Sequence, residues 1–165
     1  MHSYARTWLG GGETLSFNAA NFRLAPPLFV RFAQCSALFP MMQFSAAPWH
    51  LMDRTQWELC RESAQLRVQM AEEIKRMTRH AAQTQEPILR HLAYGFPQGG
   101  YERLKDQLML ADDILVAPVL FKNAESPEAV FPPGSWLGAN GCLIESPTRR
   151  RVKVSLSGLP WYHRQ

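Results

Sequence analysis

The stretch Asp106-Gln107-Leu108-Met109-Leu110-Ala111-Asp112-Asp113-Ile114-Leu115-Val116-Ala117-Pro118-Val119 carries the decisive reading of the fold. From Ile114 to Leu120 it is rich in residues that suit a pleated surface, which predicts a strand. Pro118 lacks a backbone N–H, so that end of the strand belongs at an edge or a bulge. Asp112-Asp113 resembles a pair of catalytic carboxylates at first sight. Neighbours on a strand face opposite sides, however, and a turn with one Asp bonding backbone is the better account.

Outward from this stretch, residues 87–165 keep the same texture. Short apolar runs at 88–94, 113–121, 129–131 and 152–156 are broken by Pro and Gly. Val152, Val154 and Leu156 alternate with Lys153 and Ser155, the period of a half-buried strand. Pro132-Pro133-Gly134-Ser135 reads as a turn. Arg149-Arg150-Arg151 with Lys153 is the one basic run, and a solvated hairpin accounts for it. Nucleic-acid binding would need a broader patch or stacking aromatics at a defined spacing. This half is predicted to be a small β domain.

Residues 1–86 read differently. Gly10-Gly11-Gly12 predicts a flexible loop after the apolar stub Trp8-Leu9. It lacks the spacing of a phosphate loop, and no Lys follows it. Pro26-Pro27 opens an apolar stretch that predicts a mostly buried helix over 27–38. Between Pro40 and Pro48, Met41-Met42-Gln43-Phe44-Ser45 is too short for a helix and predicts a buried strand. Asp53 or Thr55 can cap the next helix. Trp57, Cys60, Ala64, Val68, Ala71, Ile74, Met77 and Ala81 recur three or four apart, predicting one amphipathic helix of about seven turns. The first half therefore predicts βα units, with a boundary near residue 86.

Composition bounds the function without naming it. The 165 residues are 46% hydrophobic and 19% charged, which excludes disorder and collagen. No apolar run reaches the roughly 18 residues of a spanning helix, so no membrane partner is expected. A net charge of +4 is too weak a bias to imply nucleic acid. Cys35, Cys60 and Cys142 are widely spaced, which predicts buried or inert thiols rather than a disulfide framework or a zinc site. A reducing compartment is the default, because the first twelve residues lack a signal-peptide core. The localisation is otherwise unassigned. His50, His80, His91 and His163 have no partners at ligand spacing, so neither a metal nor a cofactor is expected. Trp8 and Trp49 sit in or beside Pro/Gly loops, where an aromatic face can pack on the apolar face of a sugar. Trp57 lies on the helical apolar stripe and is predicted to be core.

Several of these segments, in order, resemble the end of a family 31 glycoside hydrolase, the group of α-glucosidases, α-xylosidases and sulfoquinovosidases. Leu9-Gly10-Gly11-Gly12 resembles the Asp-x-x-Gly-Gly loop after the seventh barrel strand. Residues 28–40 resemble the "LFxRWxQxxAFxP" helix, and Met41–Ser45 the eighth strand. Residues 86–97 are similar to "xPVxRPLxxEFP", and residues 106–119 to "DQFxLGDDILVAPV". Residues 131–136 resemble "LPxGxW", and Leu159-Pro160-Trp161-Tyr162 the closing strand. Met41–Ser45 with Pro48-Trp49 resembles the branch of the myogenesis-regulating glycosidase and its bacterial relatives. Many α-glucosidases carry Arg and His where this chain has Gln43 and Ser45, so the likeness does not extend to ordinary α-glucosidase specificity.

The resemblance implies a fold that is α/β and then all-β. Residues 1–86 would be the last βα units of a (β/α)8 TIM barrel, incomplete, with the helix near 54–84 as its eighth. Residues 87–165 would be a C-terminal β-sandwich. It also implies retaining hydrolysis of α-glycosides by two carboxylates about 5–5.5 Å apart. In the family both lie upstream of the Gly-Gly loop, so no catalytic residue is expected in this chain. Thr7 stands at the family's Asp, and Glu13 alone cannot fill both roles. What remains is one rim of a sugar site: Gln43 and Ser45 as hydrogen-bonding groups, Trp49 and, more weakly, Trp8 as packing faces. The expected partners are a carbohydrate substrate and the missing barrel portion, or a second copy, since a partial barrel leaves open edges and poor solubility. A non-catalytic sugar-binding or interaction module is the alternative reading.

Overall fold

The computed structural model describes residues 26–44, 46–120 and 128–165. The chain divides into two units between Ala71 and Glu72.

The described part of the first unit is helical. Helix α1 (Pro26–Ala37) begins with the two prolines and buries Phe29, Val30, Ala33, Gln34 and Ala37. Helix α2 (Pro48–Leu51) is a single turn with proline at its start. Helix α3 (Arg54–Gln69) is capped by Asp53, whose Oδ1 accepts from the Gln56 N–H at 2.9 Å. Helix α1 packs on α3. Arg67 of α3 donates to the Phe39 carbonyl and, at 2.7 Å, to that of Pro40, which ties down the turn after α1.

Two expectations change here. The predicted strand Met41–Ser45 is not a strand over its described residues. A strand needs a neighbour for its N–H and C=O groups, and no described residue of this unit forms one. The predicted seven-turn helix is two helices, α3 and α4 (Ala71–Thr84), separated at Met70. Glu72 and Glu73 sit in the first turn of α4, where acidic side chains suit a helix start. The apolar stripe is interrupted at the same place, since Val68 is 74% exposed.

The second unit holds the rest of α4, a short helix α5 (Leu92–Gly95) and eight strands: β1 (Leu89–Arg90), β2 (Leu108–Leu110), β3 (Ile114–Val116), β4 (Glu128–Phe131), β5 (Ser135–Gly138), β6 (Leu143–Glu145), β7 (Thr148–Arg151) and β8 (Trp161–Arg164). Six of them form one sheet in the order β1-β2-β3-β8-β5-β6, and β4 pairs with β7 in a second. Every pairing is antiparallel. The last strand, β8, lies in the middle of the larger sheet, between β3 and β5.

The stretch 106–119 forms the β2–β3 hairpin, in register Leu108↔Val116, Met109↔Leu115 and Leu110↔Ile114. All six of these side chains are buried. The strand ends at Val116, two residues before Pro118, as a residue without a ladder donor requires. The predicted alternating strand from Val152 to Leu156 is not formed, and its place is taken by β7 just before it. Val154 is buried nonetheless, so the alternation marked burial without pairing.

Both sheets contribute to one core. Met109, Leu115, Trp136, Ile144 and Tyr162 from the larger sheet meet Ala129 and Phe131 from the smaller one. Phe131 and Tyr162 pack edge to face with centroids 4.7 Å apart. Trp136 is fully buried, and its Nε1 donates to the Pro132 carbonyl at 2.8 Å, so its polar atom is satisfied.

Candidate functional site

The segment that joins α1 to α2 carries two of the expected sugar-contacting residues. Phe44 stacks on Phe29 of α1 at 6.0 Å with an interplanar angle of 12°. That contact holds the segment to the helix. Its neighbours Met41 and Gln43 are exposed, whereas Met42 and Phe44 are half-buried. Gln43 therefore presents its amide to solvent, where it can both donate and accept.

Trp49 follows on α2. Pro48 beside it is buried and anchors the turn, and Trp49 is 64% exposed. The ring lies 5.9 Å from that of His50, tilted by 55°. Large aromatic residues are mostly buried, so a tryptophan this open is informative. Gln43, in the segment before α2, and Trp49, on α2, thus lie six residues apart in one unit. Ser45, Trp8, Thr7, Gly10–Gly12 and Glu13 lie outside the described residues. Trp57 on α3 is half-buried.

Several carboxylates of the second unit are engaged by arginines. Arg90 is 4% exposed, and its Nη1 and Nη2 each donate at 2.6 Å, to Asp112 and to Glu86. Its Nε donates to the Pro87 carbonyl at 2.8 Å, and its guanidinium lies 5.4 Å over the Tyr94 ring. Asp113 accepts from Arg76 of α4 at 2.8 Å. Adjacent aspartates therefore serve two different arginines, and both act as ion-pair partners rather than as backbone caps of the turn. Arg76 also donates to Glu73, at 2.6 Å. The hydrogen bond from Arg76 holds the Glu73 carboxyl below its ordinary range, and the two carboxylates hold the Arg76 guanidinium above its own.

The thiols fall into two groups. Burial pushes Cys35 up to about 12 and Cys60 to about 11, so both stay protonated and unreactive. Cys142 is exposed, so of the two expected alternatives, buried or inert, it is not buried. All three are free. Among the described residues no group of three or more His, Cys, Asp or Glu could hold a metal ion.

Sequence reasoning missed Gln107. Its side chain is buried and bonds both polar groups of Val130, accepting from N–H at 2.7 Å and donating to C=O at 3.0 Å. It missed Arg90 in the same way. The available signal was a polar residue next to, or inside, an apolar run, since such a residue must find partners when buried.

Residues 85–165 match the family model of the glycosyl hydrolase family 31 C-terminal domain. Residues 85–165 thus carry the C-terminal domain of family 31 of the glycoside hydrolases. It is 30% identical over 120 residues to the mouse myogenesis-regulating glycosidase, an alignment that takes in 72% of this chain and 17% of that protein. It is 29% identical over 138 residues to a 1,6-alpha-glucosyltransferase of Sporosarcina globispora, covering 79% of this chain and 11% of the enzyme. The chain thus spans under a fifth of the length of either curated relative. Among solved structures it resembles a GH31 alpha-xylosidase from a soil metagenome complexed with xylose, with a TM-score of 0.76, 23% identity, and coverage of 85% of this chain and 25% of that one. It also resembles a cycloalternan-forming enzyme of Listeria monocytogenes in complex with a pentasaccharide substrate, with a TM-score of 0.79, 22% identity, and coverage of 84% and 15%. A cycloalternan-degrading enzyme of Trueperella pyogenes, solved with a covalent intermediate, gives a TM-score of 0.78 at 22% identity, covering 85% of this chain and 22% of that one.

Proposed function

We propose that this chain is the C-terminal portion of a retaining family 31 glycosidase acting on α-glycosides. In this reading α1 to α4 are the last helices of a (β/α)8 barrel and 87–165 is the β-sandwich behind it. Gln43, Ser45 and Trp49, with Trp8, form one rim of the sugar site. The observation that carries the reading is a fold shared over 84–85% of the chain with enzymes solved with xylose and with a pentasaccharide. The covalent intermediate in the Trueperella pyogenes relative supports retention, because a retaining mechanism passes through a glycosyl-enzyme species.

The chain alone is then a binding rim without chemistry. The acids of its second unit that meet arginines are neutralised by them rather than poised as a nucleophile and an acid. Incubation with aryl α-glycosides should release no phenol above a Gln43→Ala control, and turnover that the control lacks overturns the proposal. Trp49, open to solvent, favours a second reading as a free-standing sugar-binding module. Titration with glucose or xylose separates the two. Shifts confined to the Trp49 indole with measurable heat support the module, and their absence removes it.

A further inference from the structure

The small sheet has two outer edges, and among the described residues only that of β4 is covered, at Val130. Val130 uses both its N–H and its C=O on the Gln107 side chain. That amide stands where the backbone of a third strand would stand, so it covers β4 at Val130. In an antiparallel ladder the two polar groups of a residue point the same way, toward the partner or away from it. Those of Val130 point away from β7. The pair Val130↔Arg149 is therefore a non-hydrogen-bonded one, and so is Glu128↔Arg151, two residues along. It follows that Arg149 and Arg151 aim their N–H and C=O groups out of the far edge of β7.

No described strand pairs with that edge. Arg149, Arg150 and Arg151 are all exposed, and Lys153 follows two residues on. Arg149 lies 3.5 Å from Glu128. Arg150, Arg151 and Lys153 form no ion pair with any described carboxylate. An open ladder edge and a run of cations therefore occupy the same strand.

We propose that the outer edge of β7 is a docking edge for an acidic, extended segment of another polypeptide, added as a third strand. Main-chain hydrogen bonds to Arg149 and Arg151 supply affinity in such strand addition, and side chains supply selectivity. Charge decides the occupant. A second copy laid against β7 sets arginines opposite arginines, and directly opposed like charges are destabilising. The same charges favour a strand carrying Glu or Asp. The basic run thus guards the edge against self-pairing and selects an acidic partner.

Amide exchange on the full chain tests this, with a short peptide of alternating Glu and Val as the probe. In the free chain the Arg149 and Arg151 amides should exchange at least about tenfold faster than that of Arg150, which bonds to β4. The peptide should slow both. Its backbone-N-methylated form, a Lys/Val counterpart and the Arg150→Glu/Arg151→Glu variant should each weaken binding by about tenfold or more. Equal binding of the N-methylated peptide overturns the proposal, as does equal protection by a short oligonucleotide, since either shows charge acting without strand pairing. No binding of the acidic peptide to the unaltered chain also overturns it.

Discussion

Arg90 shows how one residue can be both costly and necessary. Its guanidinium is buried, while its partners Glu86 and Asp112 keep 43% and 61% of their side-chain surface in water. Removing one partner of a buried pair usually costs about 3–5 kcal/mol, because the other charge is left without compensation. The exposed carboxylates can rehydrate, but Arg90 cannot. Replacing Glu86 and Asp112 together by Gln and Asn should therefore destabilise the second unit, by less than that figure because of solvent screening. Arg90→Met, which removes the buried charge and fills the space, should cost less than the double variant. Urea unfolding of the three proteins gives the order. A larger loss for Arg90→Met would show that the carbonyl and Tyr94 contacts dominate.

At the scale of elements, the β2–β3 hairpin is closed by Ala111-Asp112-Asp113, and Ala111 adopts a φ of +46°. That left-handed conformation crowds a Cβ, and glycine adopts it freely. Ala111 also donates its N–H to the Ile88 carbonyl at 2.7 Å, which keeps the turn against the start of β1. Ala111→Gly should raise stability by about 0.5–1 kcal/mol, the relief of strain less the added freedom of the unfolded chain. An unchanged or lower urea midpoint would show that the turn carries no strain. Helix α4 has a different fastening. Arg76 joins Glu73 on its own helix to Asp113 in this same turn. The Glu73 carboxyl stays charged to lower pH when folded than when unfolded. Its stabilisation is therefore present above the ordinary glutamate value of about 4.3 and is lost as pH falls through the lower, folded value. Glu73→Gln should flatten the loss of stability in that acid range, as read from unfolding curves across pH. A slope equal to that of the unaltered chain would remove Glu73 as its source.

For the whole second unit, the joint between the sheets rests on Gln107. Its amide copies the donor and acceptor of a peptide group and satisfies a buried strand where no third strand is described. Gln107→Leu leaves the Val130 N–H and C=O without partners, at about 1–3 kcal/mol for each orphaned group. The expected result is a fall in the urea midpoint together with faster amide exchange along β4. Loss of stability without faster exchange at Val130 would place the effect elsewhere.

Much of this was legible beforehand. The texture of 87–165 announced short strands, Pro26-Pro27 announced the start of α1, and Asp53 announced the cap of α3. Strand and helix signals of this kind arise from local chemistry: branched side chains, a fixed proline φ, a short polar side chain beside free N–H groups. Met41–Phe44 misled because a short apolar run between prolines reports neither burial, since Met41 stays 56% exposed, nor pairing, and a strand exists only when a second backbone lies beside it. Val152–Leu156 misled for want of the same second backbone. Gln43 and Trp49 could be named from the sequence as residues able to meet a sugar, yet their exposure depended on Phe44 stacking against Phe29 and on Pro48 being buried.

The sequence by itself determined the start of α1, the cap of α3 and the strand-forming texture of the second half, and it carried the family likeness in the order of its motifs. The tertiary structure alone decided that β8 lies at the centre of the sheet, that Asp112 and Asp113 part toward two arginines, and that Gln107 stands in for a strand. The physical reason is range. Propensity acts over a few neighbouring residues, but a buried polar group must be paired wherever a partner can be found, and Arg90 and Gln107 find theirs in Asp112 and Val130, 22 and 23 positions away along the chain.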